Sequence, residues 1–132
     1  MRAILINPQD RTITEVDYTG EYKNIYTHIE ASCFDCVRIG DENEHTIFVD
    51  DEGLLNGKAR DVGMFRYDGD YPAYLAGKAL ILATDDEGES VAATLTLDYV
   101  KEKVAFGEMR RTMNGGIAFI THDSSQYWLV EN

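Results

Sequence analysis

The chain has 132 residues, 44% of them apolar and 27% charged, which suits one globular domain. Twenty-four acids against twelve bases give a net charge of −12, a field that repels nucleic acid and anionic membranes and argues against direct binding to phosphates. Eight Tyr, five Phe and one Trp exclude a disordered chain, and two cysteines are too few for a disulfide scaffold.

Ala3-Ile4-Leu5-Ile6 is a short apolar run closed by the turn signal Asn7-Pro8. Thr12 to Tyr18 alternates and is rich in β-branched residues, so the two runs predict a hairpin around residues 7–11. From Gly20 the period changes. Tyr22, Ile25, Tyr26 and Ile29 form one helical stripe, which predicts a helix over about 20–31. Residues 33–39 and 45–50 read as strands. Residues 54–75 are broken by glycines and Pro72, with at most one helical turn at Leu54-Leu55.

Ala79-Leu80-Ile81-Leu82-Ala83 is a continuous apolar run, the signature of a central strand buried on both faces. Residues 90–94 continue in extended form. Thr96 is placed to cap a second helix over about 97–106, with Asp98 in its first turn. Asn114-Gly115 predicts a hairpin between 109–113 and 117–121, and 126–130 is a last strand. The fold class expected is α+β: a mostly antiparallel sheet built from hairpins, with the two helices packed on it, in a single domain spanning 1–132.

No motif carries chemistry. Cys33-Phe34-Asp35-Cys36 is a CxxC, but its predicted order, helix before and strand after, is the reverse of a redox site. As a zinc site it lacks two ligands, because His28, His45 and His122 are not paired at ligand spacing. Buried structural cysteines are the plain expectation. Gly77-Lys78 lacks both the earlier glycine and the following Ser or Thr of a phosphate loop. The acidic turns match no calcium loop. No GxSxG surrounds a serine, and adjacency of His122, Asp123 and Ser124 is not a triad. The sequence therefore nominates no catalytic residue, no cofactor and no metal ligand, and a non-enzymatic protein is expected.

Two surfaces stand out. From Asp41 to Glu52 there are six acids (Asp41, Glu42, Glu44, Asp50, Asp51, Glu52) and no Lys or Arg. Asp85, Asp86, Glu87 and Glu89 form a second base-free acidic run. Together they suggest a partner protein with a basic surface, or imitation of a polyanion; solvated turns of an acidic protein are the plainer explanation. The Tyr- and Gly-rich stretch 63–78 could instead line a pocket for a nucleotide-like ligand, with Arg66, Tyr67, Tyr71, Tyr74 and Lys78 facing it. Scattered carboxylates leave an uncharacterised enzyme as a third reading. The C-terminal hairpin also offers an edge strand through which a homodimer could form. The opening stretch, broken by Pro8 and Asp10, is too short for a signal peptide's apolar region, no apolar run approaches 18 residues, and the setting expected is cytoplasmic, with no membrane contact.

Several stretches resemble a family of uncharacterised domains found in phages, plasmids and their bacterial hosts. They are Met1-Arg2-Ala3-Ile4-Leu5-Ile6-Asn7-Pro8, Phe48-Val49-Asp50-Asp51-Glu52-Gly53-Leu54-Leu55-Asn56, and Leu75-Ala76-Gly77-Lys78-Ala79-Leu80-Ile81-Leu82 followed by Thr84-Asp85-Asp86-Glu87-Gly88-Glu89. The resemblance covers roughly 1–106 and leaves 107–132 as a C-terminal β-hairpin extension. It implies a phage or mobile-element accessory protein and transfers no site residue; modulation or inhibition of a host or defence protein is the expectation that the net charge and the two acidic runs add.

Overall fold

The computed structural model describes residues 1–31, 34–39, 44–50, 63–68 and 74–131. The class is α+β. Two antiparallel sheets stack face to face, with one helix on the outside and one at the seam.

The first sheet has the order β2-β1-β7-β4-β3. Its strands are β1 (Arg2–Asn7), β2 (Thr12–Asp17), β3 (Phe34–Ile39), β4 (His45–Asp50) and β7 (Ala79–Thr84). The short β8 (Ser90–Val91) pairs with the end of β7. The second sheet has the order β11-β10-β9-β5-β6, from β5 (Met64–Tyr67), β6 (Tyr74–Ala76), β9 (Val104–Arg111), β10 (Ile117–Thr121) and β11 (Tyr127–Glu131).

The central-strand prediction holds. β7 lies between β1 and β4, and Ala79 through Ala83 are all buried. The alternation on each strand feeds two different cores. Ile4, Ile6, Ile47, Val49, Ala79 and Ile81 face the second sheet and meet Phe65, Tyr67 and Leu75 there. Ala3, Leu80, Leu82 and Phe48 point the other way, against Ile25 and Ile29 of α1 (Lys23–Ile29). Because both faces of β7 are covered, its sequence is a continuous apolar run instead of an alternating one.

Both helices are shorter than their sequence patterns suggest. α1 ends where Glu30 turns left-handed, its N–H bonding the Tyr26 carbonyl, and Tyr22 of the expected apolar stripe stays exposed. α2 (Leu97–Lys103) is capped by the Thr96 hydroxyl, which accepts from Tyr99 N–H at 3.1 Å. Residues 104–106, expected as the helix end, are strand. Val104 pairs with Tyr67 and Phe106 with Phe65, so two strand-favouring side chains join a ladder in preference to extending the helix. β9 therefore spans the end of the family-like region and its extension, and the extension adds β10 and β11 to a sheet that β5 and β6 already belong to.

Candidate functional site

The topology decides which acids meet. β4 runs antiparallel to β7 with His45 opposite Ala83, so the start of β4 and the end of β7 lie side by side. Thr84 N–H bonds the Glu44 carbonyl at 2.8 Å. Glu44 thus adjoins the turn Asp85–Glu89, whose four acids are all exposed. That turn is held from within: Asp85 Oδ1 accepts from the N–H groups of Glu87 (3.0 Å) and Glu89 (2.8 Å), and Gly88 takes φ +83. Tyr18, at the same end of the sheet, has its phenol pushed up by burial and then by the nearby carboxylates of Glu21 and Glu89. Acids from three places in the chain, Glu21, Glu44 and the 85–89 turn, therefore share one end of the first sheet.

Asp50 does not belong to this group. It closes β4 at the far end, opposite Phe34. Glu44 and Asp50, the described acids of the segment 41–52, thus lie at opposite ends of the sheet. Asp41, Glu42, Asp51 and Glu52 lie outside the described residues.

Of the five residues expected around a nucleotide-like ligand, the four described ones are not brought together. Arg66 and Tyr74 are cross-strand partners on the outer face of the second sheet. Tyr67 points the opposite way into the core and is 2% exposed. Lys78 pairs with Glu30 beside the C-terminus of α1. Tyr71 lies outside the described residues. Period-two alternation separates Arg66 from Tyr67 by itself, since neighbours on a strand face opposite sides.

Arg66 and Tyr74 instead meet the C-terminal extension. The Arg66 guanidinium sits 4.3 Å over the Trp128 ring, and its Nη1 reaches Asp68 at 3.0 Å. Phe119 is fully buried between Tyr74 and Trp128, with ring centroids 5.3 and 6.3 Å away.

The structural-cysteine expectation is corrected for Cys36. It lies on the outer face of β3 and is exposed. The protein around the sulfur and the Asp35 carboxylate push its thiol up, with Arg38 opposing, which disfavours the reactive thiolate. Cys33 lies outside the described residues. Among the described residues no three His, Cys, Asp or Glu side chains group as metal ligands, and no helix is long and apolar enough to cross a membrane.

One cleft was not foreseen. It measures about 520 Å³ and is lined by Arg11, Ala105, Phe106, Thr121, His122, Asp123, Ser125 and Gln126. Its walls are the β1–β2 turn and the β10–β11 turn, with β9 as the floor. Gly63 sets the first wall: a Cβ there would lie 2.8 Å from the Pro8 carbonyl carbon, so only glycine lets β5 start this close to the β1–β2 turn. The second wall is fixed by His122 N–H on the Phe106 carbonyl (3.3 Å) and by Asp123. Asp123 Oδ1 accepts from Thr121 Oγ1 (2.7 Å), Ser125 N–H (2.9 Å) and Ser125 Oγ (2.7 Å). Those donors, Ser125 first and then Thr121, hold its carboxyl down at about 2. His122 takes no part in these bonds, so the adjacent His122, Asp123 and Ser124 do not form a triad. Asp123 followed by serines is a readable turn signal, but nothing local reveals that Arg11 stands across from it.

No curated protein and no solved structure matches the chain. A family model, described as a domain of unknown function, DUF3846, matches residues 1–105. That stretch holds all of the first sheet, the acidic end and one wall of the cleft, and the chain is a member of this family of domains of unknown function.

Proposed function

We propose that this protein is a non-enzymatic accessory protein of a phage or mobile element, working in the host cytoplasm. It binds and modulates or inhibits a host or defence protein through the acidic end of its first sheet. The observation that carries this reading is the bond between Thr84 and Glu44, which sets the start of β4 beside the 85–89 turn. Acids that are 41 or more positions apart in sequence thereby act on a partner as one negative surface, and clustered charge of one sign steers a basic partner and can stand in for a polyanion. The mobile-element setting is what the resemblance to the family implies.

The test neutralises the surface without disturbing the turn. Asp85 is kept, because its carboxylate organises the loop. Glu44→Gln, Asp86→Asn, Glu87→Gln and Glu89→Gln are combined, and proteins captured by the wild-type and altered chains are compared at low and high salt. A specific partner should be lost from the altered chain and weaken with salt. A partner held equally by both chains at both salt concentrations would rule the reading out.

A further inference from the structure

We propose that the cleft between the β1–β2 and β10–β11 turns binds a small zwitterion, an amino acid or dipeptide, with Arg11 taking its carboxylate and Asp123 its ammonium. This site is separate from the acidic end and does not depend on it.

Arg11 is exposed, lines the cleft, and makes no hydrogen bond or ion pair among the described residues. It also holds φ +58, a left-handed conformation uncommon for a residue other than glycine. A guanidinium offers a planar fork that fits a carboxylate. Asp123 is a fixed acceptor. All three of its bonds from Thr121 and Ser125 fall on Oδ1, which orients the group and leaves Oδ2 free of them. It stays ionised at any neutral pH, as an ammonium partner must.

The rest of the lining suits the same ligand. Phe106 supplies an apolar surface for a side chain, and Gln126 supplies amide donors and an acceptor. The volume falls in the range of small-molecule sites. Net charge then selects the class. A chain at −12 repels an anion such as a nucleotide, while a zwitterion brings no net charge and is not repelled. One cation and one anion facing one cleft match its two ends.

The site also gives the C-terminal extension a role. Arg11 and Ala105 belong to the family-matched region, and residues 121–126 do not. The cleft exists only where the two meet.

The test is titration calorimetry on the full chain with phenylalanine, phenylalaninamide and N-acetylphenylalanine. Phenylalanine should bind saturably, and each blocked form should bind at least about tenfold more weakly. Asp123→Asn keeps an oxygen for the turn and removes the charge, so it should bind phenylalanine and N-acetylphenylalanine alike. Arg11→Gln should bind phenylalanine and its amide alike. Circular dichroism checks that both variants fold, and binding should move the amide resonances of Ser125 and Gln126. No saturable binding to folded wild type up to about 10 mM, equal binding of all three compounds to wild type, or resonance shifts confined to other regions would each overturn the proposal.

Discussion

Arg66 and Trp128 are 62 positions apart, yet the guanidinium of one lies 4.3 Å over the ring of the other. The contact joins the family-matched region to the extension beyond it. The Arg66 Nε is buried and has no hydrogen-bond partner among the described residues, and the ring face is what the inner side of this guanidinium meets. Trp128→Ala should destabilise the protein by about 2–3 kcal/mol, combining lost burial beside Phe119 with the lost cation–π contact. Trp128→Phe should cost about 1 kcal/mol. Denaturant unfolding checks both, and equal costs would show that the ring–guanidinium contact contributes nothing.

Gly107 and Gly115 make a matched pair. A Cβ on Gly107 would collide with the Ile120 carbonyl oxygen and lie 2.9 Å from Phe119 Cε1, inside the β9–β10 ladder. Gly107→Ala should therefore cost about 3 kcal/mol or more, since the obstacle is backbone and cannot swing away. Gly115 has φ +84 and no atom of the described residues within 4 Å of its Cβ position. Gly115→Ala should cost only about 1 kcal/mol, the strain of a left-handed turn residue. Comparing the two melting temperatures separates crowding from backbone strain.

His45 makes stability depend on pH. It is buried at the start of β4, and its Nε2 accepts from Thr94 N–H at 3.2 Å. Burial, then the nearby Arg2 guanidinium, hold its pKa below the usual 6.5. The folded state thus binds fewer protons than the unfolded state just below that value. The contribution is complete above about pH 6.5 and is lost as pH falls toward the folded pKa. His45→Gln keeps an acceptor that cannot titrate, so thermal melts at pH 7 and pH 5 should differ less for the variant than for wild type.

Asp123 adds a second, more acidic limb. Its pKa of about 2 lies below the ordinary 3.8. The carboxylate's contribution is present above about pH 3.8 and is lost as pH falls toward 2. Carbon-detected NMR titration of the Asp123 carboxyl should give that low value, and Thr121→Val with Ser125→Ala should raise it. An unchanged midpoint in the double variant would mean that those hydroxyls do not set it.

Much of the fold was legible in the sequence because local chemistry specifies it. The run 79–83 is a central strand since both its faces are covered, and Asn114-Gly115 turns since Gly115 takes a positive φ. Thr96 caps α2 through its own hydroxyl. The end of that helix was not legible: Val104 and Phe106 fit either a helix face or a strand, and pairing with β5 decides it.

Sites depend on what lies across the sheet, and the sequence does not hold that. It determined by itself the α+β class, the hairpins and the negative charge, because period, turn residues and charge count are local or additive. Only the tertiary structure decided that Glu44 joins the 85–89 turn while Asp50 does not, since that follows from β4 pairing with β7. Only the tertiary structure set Tyr67 in the core and placed Lys78 beside Glu30, away from Arg66. It alone brought Arg11 across from Asp123, because two turns separated by more than a hundred residues meet where the two sheets stack.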